Sequence, residues 1–503
     1  MKTKGSITIF FTLVLSIVFS MMGSLLLSAK TAAGRVQIAT AADLALYSAM
    51  AKYDRQLFEE YHLLYIDGSY GTGTLQLGNT LEEMESDISY LLEPNKDCVS
   101  GKGVNFLQLE KISGAISGYT LATDCQGNVF WEQVVAYMRE TLGIQGISLL
   151  TQKMKEDSDI LQKQEEQKQN MEVGGNIDDY ERIKEDSQKI QEEPDPDGEE
   201  TEESVTEELD PEIRVTGEEA KNMLDTITEV KKSTILQLVM PKEQSVSGWT
   251  ADKTDVLRNR TVQTGMGYLE LTVDSPTTVD DLLFQEYLMQ NLNCYGSQLH
   301  KTGPEYAIEW VLFGNLSDAE NLEKSVGELF LIREAANVAA LYQDQKRSAE
   351  AEALATALAL LLKVPGTETA LKGAIVLAWA FVETVVDVRS MLDGKRVPLI
   401  KNTTNWQVEF TNIVSAVQEP GNYYKESSGL NYQDYLRVLL ATKSKEEKII
   451  RSMEVIELSM REIEGKEQFS LDCAIDSLEA EFQICVQDYM TFTITEKRSY
   501  RSM

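Results

Sequence analysis

Histidine is almost absent from this chain, and its scarcity closes off more chemistry than any motif opens. Only His62 and His300 occur in 503 residues. They cannot complete a tetrahedral zinc site by spacing, and they leave little for a Ser-His-Asp or Cys-His relay. Cysteine is nearly as sparse. Cys98, Cys125, Cys294, Cys473 and Cys485 contain no CxxC pair, and five scattered cysteines do not make the staple framework of a small secreted domain. In an oxidising compartment Cys98–Cys125 and Cys473–Cys485 would be the disulfides, with Cys294 left over. The competing reading is five reduced thiols packed as small hydrophobes.

Basic residues are also in deficit. Forty-seven Lys and Arg face 81 Asp and Glu, a formal net charge of −34. Phosphate binding needs clustered cations, so this balance argues against nucleic acid as a partner. It equally disfavours docking of the main body on an anionic lipid surface. It suits a soluble, self-repelling extracytoplasmic body.

Sequence motifs for catalysis are missing too. No GxxxxGK[ST], HExxH or GxSxG occurs, and the GxG near Gly71 lacks the strand before and helix after it that a phosphate loop requires. Pairing Cys125 with His62, or Cys294 with His300, as nucleophile and base finds no supporting context. Carboxylate pairs are plentiful because the chain is acidic, and so carry no weight as glycosidase evidence. The sequence therefore predicts no catalytic residue, no cofactor and no metal site, and a protein that is not an enzyme.

What is present begins with one long apolar run. Ser6–Leu27 contains no charged residue and is flanked by Lys2, Lys4, Lys30 and Arg35. It meets the ~20 residues a helix needs to cross the hydrocarbon core. It is longer than the apolar region of a cleaved signal, and Thr31-Ala32-Ala33 is a mediocre cleavage site, so a retained anchor is the expectation. Lys2 and Lys4 favour an N-terminus inside and a body outside, single-pass in the cell membrane.

Beyond Gly34, Ala39, Ala42, Leu46, Met50, Tyr53, Leu57, Tyr61 and Leu64 recur in steps of three and four, with no proline between Ser6 and Tyr65. That spacing predicts an amphipathic helix continuing the anchor, the outline of a pilin-like stalk. A plain anchor followed by an unrelated core helix fits the periodicity equally.

The remainder reads as a helix-rich α+β body. Helices are predicted over Leu81–Leu92, Val129–Leu142, Val215–Leu238 and Thr278–Leu292. A further helix from the Ser317/Glu320 capping box to Leu341 is followed by four more, over Ala349–Lys363, Thr369–Met391, Asn431–Ala441 and Lys445–Glu464. Strands are predicted at Tyr268–Val273, Tyr306–Phe313, Trp406–Val414, Ala480–Val486 and Met490–Ile494. The apolar run Gly373–Val382 is interrupted by Glu383, Asp387 and Arg389, so Thr369–Met391 reads as a buried core helix rather than a second span.

Composition shifts over Gln152–Glu212, where aromatic residues almost vanish. Glu192–Glu212 is too acidic and proline-punctuated to fold alone. Asp195, Asp197 and Gly198 do not match calcium-loop spacing. Five parts follow: a tail (1–5), a transmembrane helix (6–28), a stalk helix with an α+β region (29–150), an acidic, partly disordered insertion (151–212), and a main α+β domain (213–503).

Several stretches resemble an uncharacterised family of clostridial cell-surface proteins often encoded beside Tad (tight-adherence) pilus genes. They are KGSITIFFTLVLSIV (Lys4–Val18), AKYDRQLFEEYHLLYID (Ala51–Asp67), IEWVLFGNLSDAENL (Ile308–Leu322), FLIREAANVAALYQD (Phe330–Asp344), AWAFVETVVDVRSMLDGKRVPLIK (Ala378–Lys401) and YQDYLRVLL (Tyr432–Leu440). The N-terminus is also similar to TadE/TadG-like pseudopilins, which are processed after a glycine preceding the apolar helix. The resemblance implies a processing junction at Gly5-Ser6. Pilin-type proteins usually carry Glu five residues into the mature helix, where this chain has Phe10.

The expectation is thus a non-enzymatic, membrane-anchored surface protein acting in Tad-type pilus assembly or as a minor pseudopilin. Its partners would be membrane lipid and other pilus or cell-envelope proteins. The alternative is an extracytoplasmic binding or sensing module on the same anchor.

Overall fold

The computed structural model describes residues 4–92, 107, 109–171, 177–192, 211–241, 244–267, 277–399, 401–402, 404–425, 428–486 and 490–502. Cys98, the strand expected at Tyr268–Val273 and the acidic cluster at Asp195, Asp197 and Gly198 lie outside the described residues.

The elements in chain order begin with α1 (Lys4–Met50), α2 (Arg55–Tyr61), β1 (Ile66–Asp67), α3 (Leu77–Leu92), β2 (Leu109–Leu121), α4 (Asp124–Met171) and α5 (Ile177–Glu192). They continue with α6 (Pro211–Val230), α7 (Ile235–Val239), α8 (Thr278–Asn291), α9 (Ala307–Phe313), α10 (Asp318–Gln343), α11 (Gln345–Leu361) and α12 (Glu368–Leu392). Last come α13 (Ile413–Gln418), α14 (Tyr432–Ala441), α15 (Lys445–Arg461), β3 (Ala474–Val486) and β4 (Met490–Ser499). The fold is helix-rich α+β with one small antiparallel sheet.

The chain packs as two compact units, neither contiguous in sequence. The first comprises Met1–Thr141, Thr254–Asp280 and Ile456–Met503, and the second Leu142–Lys253 and Asp281–Val455. This grouping differs from the linear division that composition suggests. Within the acidic stretch 151–212, for example, α5 buries Tyr180, Ile183 and Ser187, and Ser187 Oγ donates to the Leu362 carbonyl at 2.8 Å.

In the first unit β3 is the central strand, antiparallel to β1, β2 and β4. Its alternation predicts the pleat correctly. Leu478, Ala480, Phe482, Ile484 and Val486 are buried, and join a core with Ile38, Ala41, Ala42, Ala45, Leu46, Ala49 and Met50 of α1 and Met84, Ile88 and Leu92 of α3. Arg498 fastens β4 to α1, donating to Asp43 at 2.5 Å and lying 5.2 Å over the Tyr47 ring.

The helical stripe does not run unbroken to Leu64. Helix α1 stops at Met50, and the Asp54 carboxylate caps a new helix by accepting from Gln56 N and Leu57 N at 3.1 and 3.2 Å. Leu57 and Tyr61 stay on the buried face of α2, so the periodicity survives a break in the backbone. An aspartate that satisfies orphan N–H groups can restart a helix wherever the chain has room to turn.

In the second unit α10, α11 and α12 pack on one another, with α5, α6, α7, α9 and α13 around them. Helix α12 is apolar enough to cross a membrane, but 78% of its apolar window is buried inside the protein. It is a core helix, as its interrupting charges indicate.

Two expected strands are not strands. Tyr306–Phe313 forms helix α9, ended by Gly314 in the left-handed region at φ 65°. Its residues Ala307–Leu312 are all buried, and a short wholly buried apolar run carries no period to separate helix from strand. At Trp406–Val414, Gln407 and Val408 belong to no regular element and pair with no strand. Their N–H groups donate instead to the Glu383 carboxylate, and a 3₁₀ turn (Phe410–Asn412) and α13 follow.

The Ser317/Glu320 capping box is also absent. Ser317 precedes α10 without a side-chain cap, and Asp318 N is satisfied by the Trp249 carbonyl at 3.1 Å.

Candidate functional site

Three features have the geometry of function, and the first is helix α1. From Ile7 to Leu27 its large apolar side chains face outward, with Phe10, Phe11 and Met21 at 65%, 66% and 66% exposure. Residues Ser6–Leu27 span roughly 33 Å as a helix, close to the hydrocarbon thickness of a bilayer. So large a continuous apolar surface is not left to water by a soluble domain. The second half of the same helix is docked on the sheet of the first unit. Gly5 and Ser6 lie in its first turn.

The second feature is an acidic cluster in the second unit. Helix α9 buries Glu309 completely. Its Oε1 accepts from Tyr295 N at 3.1 Å and from Tyr432 Oη at 2.9 Å, while Oε2 has no hydrogen-bond partner. Burial raises this carboxyl to about 7. Asp318, at the start of α10, accepts from Ser247 Oγ (2.8 Å) and Glu305 N (2.9 Å), and burial raises it to about 6. Like-charge repulsion adds to both shifts, from Asp318 at Glu309 and from Glu305 at Asp318.

Tyr295 and Tyr432 also line a cleft of about 430 Å³ with Gln244, Leu392 and Asn431. Burial pushes the Tyr295 hydroxyl up to about 12 and the neighbouring Cys294 thiol far above its ordinary value. A thiol held protonated is a poor nucleophile. His300 lies near Cys294 in sequence, but its ring is engaged with the Asn291 carbonyl at 2.7 Å.

The third feature is a network of four charged side chains, all at 0% exposure. Arg333 on α10 donates to Asp387 Oδ2 on α12 at 2.7 Å and to the carbonyls of Pro398 and Leu399, both at 2.9 Å. Lys401 Nζ donates to Glu383 Oε1 and to Asp387 Oδ1, the latter at 2.6 Å. Asn337 and Gln407 donate to the two Asp387 oxygens at 3.1 and 2.8 Å. Glu383 Oε2 accepts from Val408 N at 2.8 Å. Burial raises the Glu383 carboxyl, whereas Lys401 and Arg333 together hold Asp387 below the ordinary carboxylate range. Glu383 and Asp387 were visible in sequence as charges one turn apart on an apolar helix. Their cations come from distant segments and gave no such signal.

The cysteines resolve unevenly. Cys473 and Cys485 are both free, and stand at the two ends of β3. An extended strand puts them roughly 40 Å apart, far beyond disulfide reach, which corrects that expected pairing. Cys125 is free and exposed, with its thiol raised by partial burial and by Asp124. The first unit also has a cleft of about 450 Å³ bearing Lys52 and Lys466. Lys52 pairs with Glu83, and Lys466 with Asp54 and Asp67. Among the described residues no group of three or more His, Cys, Asp or Glu is placed to hold a metal ion.

Fold and site together define a helix-rich α+β protein with one N-terminal helix long and apolar enough to span a membrane. Residues 214–486, more than half of the chain, match DUF5702, a family of unknown function, and the chain belongs to that family. No curated protein and no solved structure matches it.

Proposed function

We propose that this chain is a non-enzymatic, single-pass surface protein whose body lies outside the cell membrane and whose work is in Tad-type pilus assembly, as an assembly component or minor pseudopilin. The observation that carries the reading is the two-part character of α1. An exposed apolar half continues without a break into a half buried on the sheet, so the membrane segment and the first unit share one stiff rod. Lys2 and Lys4 ahead of the apolar run, and the acidic body after it, support an inside N-terminus. Phe10 stands where pilin-type helices carry a carboxylate for a neighbouring subunit's amine, which favours a minor component over the repeating filament subunit.

N-terminal sequencing of membrane-extracted protein, with pilus counts in a deletion strain, tests this. A start at Ser6 and loss of pili support it. A start at Thr31 or later, or unchanged pili and adhesion, would sink it.

A second reading is an anchored binding module, favoured by the Tyr295/Tyr432 cleft with Glu309 behind it. Thermal stabilisation by a small ligand, abolished in Tyr432→Phe while pili stay intact, would select that reading instead.

A further inference from the structure

The geometry points to a covalent cross-link: Lys401 and Glu383 are joined by an intramolecular amide bond that forms after folding, with Asp387 carrying the proton. The inference is independent of the anchor and of the pilus reading, because it rests only on the interior of the second unit.

Three conditions for condensing an amine with a carboxyl meet here. The amine is in place, since Lys401 Nζ touches Glu383 Oε1 and lies 2.6 Å from Asp387 Oδ1. Fixed proximity of this kind replaces a bimolecular encounter by an intramolecular one. The acyl carbon has an oxyanion site, since Glu383 Oε2 accepts from the N–H groups of Val408 at 2.8 Å and Gln407 at 3.2 Å. Main-chain donors aimed at that oxygen stabilise the charge that develops during attack. Water is excluded, since all three side chains are fully buried and the Trp406 ring lies 5.6 Å from Nζ.

The roles follow from the partners. Asp387 is clamped by Arg333 and Asn337, which keeps it ionised as a base. Glu383 contacts only one of the two cations, and its carboxyl is the one that burial raises.

The step balances without an oxidant or co-reactant. The Lys401 ammonium passes one proton to Glu383, giving a neutral amine and a neutral carboxyl. Nζ attacks Cδ of Glu383, and Asp387 takes the second proton from the nitrogen. Asp387 then returns it to the departing oxygen, the C–O bond breaks, and one water leaves. One buried ammonium and one buried carboxylate become a neutral amide, and Arg333 and Asp387 remain as a balanced pair. Removing two buried ions relieves a desolvation cost that ion pairing repays only in part.

Tryptic digestion of the purified full chain followed by mass spectrometry tests the proposal. Acylated Lys401 resists trypsin, so peptides 373–389 and 397–425 should appear as one branched species lighter than their sum by one water, about 18 Da. Fragmentation should place the branch on Glu383. In Lys401→Arg the branch should vanish, and in Glu383→Gln the same bond should form with loss of ammonia, about 17 Da. Asp387→Asn should slow formation by about 10²-fold. Full recovery of linear peptides 373–389, 397–401 and 402–425 from the wild-type chain would overturn the inference, as would a branch on Asp387.

Discussion

Arg333 on α10 and Asp387 on α12 make a two-ended contact in the interior, with Nη2 2.7 Å and Nε 3.3 Å from the same carboxylate oxygen and both side chains at 0% exposure. The pair closes α10 against α12, and the remaining guanidinium nitrogen holds the segment that delivers Lys401. Removing this cation alone leaves two buried carboxylates facing the single charge of Lys401. Arg333→Met should therefore cost about 3–5 kcal/mol in urea unfolding, while the double change Arg333→Met/Asp387→Leu should recover much of that loss.

Glu309 gives the second unit a pH dependence of definite sign. Its folded value of about 7 lies above the ordinary 4.5, so the folded state holds the proton more tightly. Stability from this group is complete below pH ~4.5, falls as pH rises from there to 7, and is then fully lost, by about 3 kcal/mol in all. Asp318, raised to about 6, adds in the same direction at lower pH. Thermal unfolding of wild type and Glu309→Gln from pH 4 to 8 should show the variant with the flatter profile. Identical slopes would contradict it.

Helix α1 should respond oppositely in its two halves. Leu15 is 55% exposed on the apolar half, and Leu15→Arg should weaken membrane partition by about 2.5–3.5 kcal/mol while leaving the melting of the body unchanged. Ala45 is fully buried against the sheet, so Ala45→Arg should lower the stability of the first unit and leave the protein in the membrane fraction. Fractionation and thermal melting separate the two.

Gly429 is a test of backbone approach. A Cβ there would sit 2.0 Å from the Val397 carbonyl oxygen and 2.6 Å from Pro398 N. Gly429→Ala should break the Val397–Leu430 bridge, at a cost of about 2–3 kcal/mol, and displace the segment leading to Lys401. The cross-linked fraction should fall with it.

Much of the secondary structure was legible. The helices α10, α14 and α15 and the alternation of β3 survive in the structure because burial on one face is written directly into residue spacing. Where the reading failed, the causes differ from place to place. Trp406–Val414 reads as a strand, but the N–H groups of Gln407 and Val408 find their acceptor in the Glu383 carboxylate and not in a neighbouring strand. Within Tyr306–Phe313 the run Ala307–Leu312 is buried on all sides, so its pattern holds no period. The Cys473–Cys485 pairing failed because a strand of β3's length holds its ends apart.

The amino-acid sequence alone determined that one N-terminal stretch is long and apolar enough to span a membrane, and which chemistries the chain lacks motifs for. An uncharged run long enough for a bilayer, a formal charge of −34 and two histidines are properties of composition, and they need no fold to act. Only the tertiary structure decided that Arg333, Glu383, Asp387 and Lys401 meet in one dry interior. Electrostatic contact depends on distance in space, and α10, α12 and the segment after Pro398 become neighbours only when the core closes.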